Sequence, residues 1–434
     1  MSALSQMLLA NGVYVQGSDL ADNDETEKLK EKGIRVFKTH SAENLKNIDV
    51  VVYSSAIHDD NEELIFAREN NLQVFKRAEL LGLVASLYDT VIAIAGSHGK
   101  TTTTGMLAEV FMQAGLDPTF HIGGSLNMLH SNYRLGGKKY FITEACEYKD
   151  NFLYILPDVA VVLNIDGDHL DYFGSLEGVK SSFAKFSDGI KDGGISIVCN
   201  DDENSDELKK RDDASTFGFG IGSEMRAENI KQYKPGFYSF VPTFMGCALG
   251  EIKLNIVGKH NILNALASIL ISIVFDIDFA HIKFALEHFS GTERRCQKIG
   301  ELNGAVVFHD YAHHPKQIEK MISVAKELTA GGGRTITVFE PHTYSRTKFL
   351  LTEFAKSFKG ADISIFCPAY SARENPDEGV EADVLASVAK EYVQDVLFIK
   401  TFNEIFEKLN EIAKPDDVIF ILGAGTIEHL AKMF

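Results

Sequence analysis

The stretch from Val91 to Glu109, read VIAIAGSHGKTTTTGMLAE, constrains the fold of this chain more than any other part. Val91 to Ile94 predicts a short buried strand, a glycine loop follows, and a helix is predicted from Thr102 onward. Such a loop can direct backbone N–H groups and the positive end of the helix dipole at phosphates. Lys100 would reach the outer phosphates and a threonine hydroxyl would reach Mg²⁺, so the stretch predicts an ATP site. Ile94 stands where the full GxxxxGK[ST] pattern has its first glycine, and an ordinary strand-to-helix turn is the alternative.

Length and composition set the broad class. At 434 residues the chain is long enough for two to four domains of roughly 100–200 residues each. It has no apolar run of about 18 residues and no secretion signal at its start, which predicts a cytoplasmic protein without a membrane span. Its 43 basic and 61 acidic residues give a net charge of −18, which disfavours nucleic acid as a partner. Five cysteines without CxxC spacing predict reduced thiols.

Residues 1 to about 88 alternate helix-like and strand-like runs, which predicts a parallel, Rossmann-like sheet. A dinucleotide-type fold opens on a strand and a glycine turn, yet this chain opens on a helix-like run, so we expect that first unit to be missing. Asp19 ends one predicted strand and would hold a ribose hydroxyl or form a turn. Ser54, Ser55 and Ala56 close another, and would contact a ligand or cap a helix.

In the middle of the chain, Glu144 ends one apolar strand and the segment NIDGDHLD, residues 164–171, follows another. If both strands neighbour the glycine loop, these groups lie beside it at one edge of a parallel sheet. Glu144 is then a candidate Mg²⁺ ligand, or else an exposed acid, and His169 is a weaker candidate, or else a loop histidine. Asn261, near the start of an apolar helix, would cap that helix or contact a purine amide edge.

A third α/β region starts near Thr292 and includes helices predicted over Thr347–Phe358 and Ala424–Phe434. Its first two strands are followed by the loops DYAHHP, residues 310–315, and EPHTYSR, residues 340–346. Loops at the carboxyl ends of strands are where α/β sheets bind ligands. His313, His342 and Arg346 are therefore predicted to be functional, although single loop histidines are mostly surface residues.

The motifs AGSHGKTTT, EACE, NIDGDHLDYF, GKHNILNALAS, DYAHHP and EPHTYSRT occur in this order over nearly the whole chain. Together they resemble the Mur ligases, ATP-dependent enzymes that add amino acids to a bacterial cell-wall precursor. The resemblance implies an α/β protein of three domains. These are a UDP-binding Rossmann-like domain lacking its first strand and glycine loop (residues 1–88), a central P-loop ATPase domain (89–291) and a Rossmann-like domain that receives the amino acid (292–434).

Within the family, DYAHHP followed by PHTYSRT, together with the NIxxDHLDYF form, is most similar to members that join L-alanine to UDP-N-acetylmuramate through an acyl phosphate. Members that recycle an intact murein tripeptide are the close alternative, and a nucleotide-binding remnant without ligase activity is a second one. The cofactors implied are ATP and Mg²⁺. The oligomeric state is left open.

The resemblance also implies roles for individual residues. The ATP-binding set would be Gly96, Ser97, His98, Gly99, Lys100, Thr101, Thr102, Asn261, Arg295 (or Arg294) and Asp310. The Mg²⁺ ligands would be Thr101 and Glu144, with His169 on a second Mg²⁺. The groups nearest the chemistry would be Lys100, Glu144, His169, His313, His342 and Arg346. The UDP site would be lined by Ser18, Asp19, His40, Ser54, Ser55, Ala56 and Ile57.

Three departures from the family pattern stand out. The opening strand and its glycine loop are absent, which implies either a start codon placed too late or impaired UDP binding. Several relatives carry a carbamylated lysine near the position of Phe183. The alanine-adding members resemble this sequence in lacking that lysine. Thr343 stands where some relatives have an arginine, which leaves Arg346 alone to meet the amino-acid carboxylate.

Overall fold

A computed structural model describes residues 1–21, 24–372, 374 and 381–434 of the chain. Among these residues the chain has three α/β regions in sequence order, as predicted. No helix among them combines the length and the apolar character needed to cross a membrane.

The first region consists of short strands alternating with helices. Its elements are α1 (Ser2–Ala10), β1 (Gln16–Ser18), α2 (Asp24–Glu31), β2 (Arg35–Phe37), β3 (Val50–Tyr53), α3 (Glu62–Glu69), β4 (Gln73–Lys76) and α4 (Arg77–Ala85). The predicted parallel pairing is confirmed, but the strands form two separate pairs, β1 with β2 and β3 with β4. Parallel strands are normally covered on both faces, whereas β1 and β3 have no fully buried residue.

Helix α1 is anchored on the central region rather than on these strand pairs. Leu4 and Met7 are each 1% exposed and belong to an apolar cluster with Phe141 and Phe152 of the central region. The Tyr133 hydroxyl also donates to the Gln6 side chain across 2.6 Å. The start of the chain is therefore held by the central core.

The central region is built on one large sheet. Its elements are β5 (Thr90–Ala95), α5 (Lys100–Gln113), β6 (Thr119–Leu126), β7 (Ser131–Arg134), β8 (Tyr140–Glu144), β9 (Val159–Val162), α6 (Leu170–Phe173), α7 (Leu176–Asp188), β10 (Ile195–Cys199), α8 (Asp206–Lys209), β11 (Ala214–Gly218), β12 (Met225–Lys234), β13 (Phe237–Phe244), β14 (Cys247–Ala248), β15 (Ile252–Lys253), α9 (His260–Val274) and α10 (Phe279–His288). The strand order is β14-β13-β12-β11-β10-β9-β5-β8-β6-β7, with β15 beside β13.

Strand β5 lies between β9 and β8 and is parallel to both. This arrangement confirms that the strands ending near Glu144 and Asn164 neighbour the strand that leads into the glycine loop. Helix α5 is buried along almost its whole length in the main core. It carries Glu109, which is 6% exposed, and burial raises the pKa of this carboxyl to about 7.

The third region has a six-stranded sheet among the described residues. Its elements are β16 (Gln297–Leu302), β17 (Ala305–Asp310), α11 (Pro315–Leu328), β18 (Thr335–Phe339), α12 (Tyr344–Phe349), α13 (Leu351–Ser357), β19 (Ile363–Phe366), α14 (Ala382–Ala389), β20 (Asp395–Phe398), α15 (Phe402–Ile412), β21 (Val418–Leu422) and α16 (Glu428–Ala431). The order is β16-β17-β21-β18-β19-β20, and every pair is parallel except β16 with β17.

Two helix predictions in this region are corrected. The helix predicted over Thr347–Phe358 is divided into α12 and α13 at Leu350, whose backbone leaves the helical region at φ −110°. The helix predicted over Ala424–Phe434 is reduced to α16, because residues 423–427 form a glycine turn that closes over Glu340.

Helix α11 joins the third region to the central one at both of its ends. Near its start, the Lys316 ammonium bonds to Asp166, which follows β9. Near its end, the Tyr238 hydroxyl of β13 donates to Glu327 across 2.8 Å. Gly236 approaches Leu328 so closely that a Cβ on this glycine would lie 2.7 Å from a Leu328 methyl.

Candidate active site

The glycine loop after β5 is shaped by two close approaches. Gly96 has a φ of +142°, and a Cβ there would lie 2.9 Å from Leu163. Gly99 has a φ of +89°, and its Cβ would lie 2.6 Å from Asn264 Oδ1 and 3.2 Å from Leu163. Only glycine meets both the left-handed backbone and the space available, so the loop lies close against its neighbours.

The loop that follows β9 braces the glycine loop. The Asn164 side chain accepts from the His98 amide across 2.8 Å and donates to the His98 carbonyl across 3.0 Å. Ser97 Oγ accepts from the Asp166 amide across 2.8 Å. The Asp166 carboxylate lies 3.4 Å from His98 Nε2 and also bonds Lys316, so it joins the glycine loop to the third region. The pKa of the Asp166 carboxyl is held well below its usual range, mainly by His98 and to a smaller extent by Lys316, although burial opposes this.

Lys100 lies over the glycine loop. Its ammonium bonds the Gly96 carbonyl, and it donates to Glu147 Oε2 across 2.9 Å and to Oε1 across 3.2 Å. Burial would lower the pKa of Lys100, but Glu147 outweighs this effect and the pKa is raised. Lys100 is therefore charged at neutral pH.

A cation-binding group of side chains lies beside this lysine. One ligand atom each from Glu147, Asp168 and His169 lies within 4.8 Å of the others. His169 has a φ of +56°, and its ring packs 4.6 Å from that of Tyr148. Two carboxylates and an imidazole fit a divalent cation. Glu144, by contrast, accepts from the Gly123 amide through Oε1 and is not part of this group.

The prediction that Asn261 caps its helix is wrong, because Lys259 holds that place. Asn261 lies one residue inside α9, is 5% exposed, donates to the Val257 carbonyl and accepts from Asn264. The hydrogen bond between Asn264 and Asn261 holds the Asn264 side chain against Gly99 of the glycine loop. The contact of Asn261 with adenine stays a prediction.

In the third region, Asp310 ends β17 and is 6% exposed. Its two oxygens accept from the amides of Cys296 and Ala312, each across 2.7 Å, and burial raises the pKa of this carboxyl. Arg294 and Arg295 place their guanidinium groups 4.6 Å and 5.5 Å from the Tyr311 ring centre. Asp310 thus fixes the turn that carries both arginines.

His313, His342 and Arg346 are brought together, as the loop positions predict. The His313 and His342 rings are 5.8 Å apart, and the Tyr370 ring is 5.5 Å from His342. His313 Nδ1 lies 2.9 Å from the Tyr311 carbonyl oxygen, so it carries the proton and Nε2 is left as an acceptor. Burial lowers the pKa of His313 to about 4, which keeps the ring neutral at pH 7.

Two polar atoms of this cluster are buried without a partner among the described residues. They are His342 Nδ1 and Arg346 NH1. Unpaired buried polar atoms are costly, and the Arg346 guanidinium is suited to a carboxylate. Burial, and then Arg346, lower the pKa of His342, so its ring is neutral at pH 7. The backbone around them is strained, since Thr343 has a φ of +66° and donates its amide to the Tyr370 carbonyl across 2.9 Å.

Comparison with known proteins identifies the family. Three family models match the chain, described as the Mur ligase family catalytic domain over residues 1–89, the Mur ligase middle domain over 94–272 and the Mur ligase glutamate ligase domain over 294–425. The chain is 40% identical to the UDP-N-acetylmuramate–L-alanine ligase of Caldanaerobacter subterraneus, over 100% of its own length and 94% of the relative. It is 42% identical to the enzyme of that name from Geotalea daltonii, over 98% and 93%. The chain belongs to the Mur ligase family.

Solved structures agree with this Mur ligase assignment. The UDP-N-acetylmuramate–alanine ligase of Thermotoga maritima superimposes with a TM-score of 0.85 at 27% identity, covering 100% of this chain and 95% of that one. A murein peptide ligase from Psychrobacter arcticus shares the fold with a TM-score of 0.71 at 24% identity, over 100% and 95%. The predicted three-domain α/β architecture is confirmed.

The residues predicted for the UDP site of this Mur ligase are only partly brought together. Ser18 and His40 meet, with Ser18 Oγ 2.9 Å from His40 Nδ1 and donating to Glu63 across 2.7 Å. Asp19 accepts from the Ala21 amide, which is the turn geometry weighed as its alternative. Residues 54–57 form a turn after β3 closed by the Ile57 amide on the Ser54 carbonyl; Ser55 is exposed, whereas Ala56 is partly buried.

The sequence prediction did not single out several residues that the structure places in the candidate site. Glu147 and Asp168 lie in motifs that were recognised from the sequence. Each motif contains several carboxylates, and only the folded structure shows which of them lie beside Lys100. Tyr370 follows the end of β19 and could have been found by the same strand-end rule that found His342. Phe183 is fully buried with its ring 5.2 Å from that of Phe152, so it is a core residue in this chain.

Proposed function

We propose that this Mur ligase joins L-alanine to the lactoyl carboxylate of UDP-N-acetylmuramate, with conversion of ATP to ADP and phosphate. The observation that carries the proposal is the meeting of two sites across Asp166, one built for phosphates and one for an amino acid. The full-length relatives named for this reaction support the choice of substrates.

In the first step, the γ-phosphoryl group of ATP moves to the carboxylate and ADP leaves. Charge collects on the transferring oxygens, so the work of the protein is positioning and electrostatic stabilisation. The glycine-loop amides and the Lys100 ammonium supply positive charge at this point. We place the nucleotide on residues 96–102, with Asn261, Arg295 and Asp310 closing the site from the other side.

Mg²⁺ belongs to this proposal because the donors near Lys100 fit it. Thr101 and Glu144 are proposed ligands from the family pattern, and His169 is joined in the structure by Glu147 and Asp168. When bound, Mg²⁺ would neutralise phosphate charge and orient the transferring group.

In the second step, the amine of L-alanine attacks the acyl phosphate, an amide forms and phosphate leaves. His313 is neutral at pH 7 with Nε2 free to accept, so it can accept a hydrogen bond from the amine of L-alanine and orient it toward the acyl phosphate. Arg346 presents a buried, unpaired N–H group for the alanine carboxylate, and the unpaired Nδ1 of His342 is buried in the same cluster. Tyr370 closes this pocket beside His342.

The remaining assignments follow from these steps. We propose that residues 1–88 bind the UDP moiety through Ser18, His40 and the turn at residues 54–57, that residues 89–291 bind ATP, and that residues 292–434 bind the amino acid. ATP and UDP-linked precursors are cytoplasmic metabolites, so we place the reaction in the cytoplasm.

The test is phosphate release by the purified chain given ATP, Mg²⁺ and UDP-N-acetylmuramate, with either L-alanine or murein tripeptide as the amine. We expect release with L-alanine and none without UDP-N-acetylmuramate. The Lys100→Met variant should be silent, while Lys408→Met serves as the matched control, because Lys408 is a half-buried lysine of α15 whose only described ion pair is with Glu411. Release with tripeptide only would replace L-alanine in the proposal, and ATP binding without release under any condition would refute the ligase activity.

A further inference from the structure

The carboxylate of Glu147 is held by a single cation. Its side chain is 3% exposed, and both oxygens receive bonds from the Lys100 ammonium, at 2.9 Å and 3.2 Å. No other side chain among the described residues bonds this carboxylate. A buried carboxylate depends strongly on such a partner, because an unpaired charge in a dry site is costly.

The same carboxylate also faces a second set of groups. One of its oxygens lies within 4.8 Å of a ligand atom of Asp168 and of His169. The backbone that carries Glu147 is fixed, since Lys149 and Asp150 both adopt left-handed conformations and Ser182 bonds the Asp150 carboxylate. Glu147 therefore lies between Lys100 on one side and a set of cation ligands on the other.

Glu147 cannot pair with Lys100 and bind a divalent cation with Asp168 and His169 equally well at every stage of the proposed reaction. The ATP phosphates are the designated partner of Lys100, and they compete with Glu147 for the same ammonium. Once the phosphates hold Lys100, Glu147 is left as a buried carboxylate without its cation. The nearest groups that can gather a replacement cation are Asp168 and His169.

We propose that Glu147 changes partner during ATP binding. It neutralises Lys100 until the phosphates take this lysine, and it then joins Asp168 and His169 around a divalent cation. The exchange keeps a counter-charge on every buried ion and makes cation binding depend on nucleotide binding. This inference rests on the proposed ATP site and adds to it a specific role for Glu147.

The exchange predicts opposite effects of one substitution on two affinities. Glu147→Gln frees Lys100, so ATP in EDTA should bind more tightly, by about 5-fold, because no competing carboxylate has to be displaced. The same variant loses a ligand, so Mn²⁺ in the presence of ATP should bind about 10-fold or more weakly. Calorimetry measures the first affinity, and the electron paramagnetic resonance signal of free Mn²⁺ measures the second.

Two further variants separate the exchange from simple damage. Asp168→Asn should weaken Mn²⁺ binding and leave metal-free ATP binding unchanged, since Asp168 does not bond Lys100. Lys100→Met releases Glu147 from its ion pair, so Mn²⁺ without nucleotide should bind more tightly to this variant than to the unmodified chain. A structural defect would weaken every affinity.

The outcomes are distinct. If Glu147→Gln weakens both affinities or changes neither, or if Lys100→Met binds Mn²⁺ no better than the unmodified chain, the exchange is refuted while the ATP site stands. If the unmodified chain binds no ATP with or without Mn²⁺, the proposed function fails as well. Thermal melting of each variant with an unchanged midpoint is required before its affinities are compared.

Discussion

Replacing Gly99 by alanine tests how the glycine loop is made. The added Cβ must adopt a φ of +89° and lie 2.6 Å from Asn264 Oδ1 and 3.2 Å from Leu163. Neither neighbour can move easily, because Asn264 is bonded to Asn261 and Leu163 is 4% exposed in the main core. The loop backbone has to shift instead, and its amides move away from the phosphate position.

The expected cost has two parts. A left-handed backbone costs alanine about 1–2 kcal/mol relative to glycine. Overpacking against two fixed neighbours adds about 1–3 kcal/mol. Gly115 is a matched control, because its φ is +71° and nothing lies within 4 Å of its Cβ position. Gly115→Ala should therefore lose only the backbone contribution, about 1–2 kcal/mol of unfolding free energy.

Urea unfolding followed by circular dichroism measures stability, and calorimetry measures ATP affinity. We expect Gly99→Ala to be the less stable of the two variants and to bind ATP at least about 10-fold more weakly, equivalent to about 1.4 kcal/mol. Gly115→Ala should bind ATP like the unmodified chain. Equal stability of the two variants together with unchanged ATP affinity would refute the close-approach explanation of Gly99.

Three further predictions concern stability and amino-acid binding. Because burial raises the pKa of Glu109 to about 7, the folded state holds this proton while the unfolded state releases it near pH 4.5, and stability should fall as pH rises between these values. In urea unfolding, the free energy of unfolding of Glu109→Gln should therefore be higher than that of the unmodified chain by on the order of 2–3 kcal/mol at pH 8 and equal to it at pH 4. Equal free energies at both pH values would contradict this. Asp417→Ala leaves Arg334 without its partner and should cost about 3 kcal/mol of unfolding free energy, with Asp416→Asn as the mild control, because asparagine tolerates the left-handed φ of +69° at that position. Gly425→Ala places a Cβ against Glu340 Oε2 and 2.5 Å from the Tyr370 ring, so both side chains must shift and the KM for L-alanine should rise about 10-fold with ATP affinity unchanged. An unchanged KM would remove Tyr370 from the pocket.

Much of the fold could be predicted because its signals are local. The strand β5 and the helix α5 are read directly from an apolar run, a glycine loop and a helical pattern. The order of strands in the central sheet could not be read in this way, since it depends on contacts between distant segments. Helices α12 and α13 were predicted as one because the break at Leu350 comes from packing and not from a glycine or proline.

The candidate site was predictable to the level of loops. The strand-end rule found the loops that carry His313, His342 and Arg346, and the structure brings these three residues together. The rule cannot distinguish Glu144 from Glu147, which are three residues apart, because their directions are set by the turn after β8. Asn261 was expected to cap its helix or to contact a purine amide edge, yet in the structure its side-chain oxygen accepts from Asn264, a contact that only the folded structure reveals.

The two attachments of α11 to the central region differ in strength. At the end of the helix, Leu328 is wedged against the Gly236 backbone, whereas at its start Lys316 is half exposed and meets Asp166 through water-accessible charge. An exposed ion pair contributes at most about 1 kcal/mol, so it can break and re-form at little cost. The start of α11 can therefore separate from Asp166 at a smaller cost in free energy than its end can separate from Gly236.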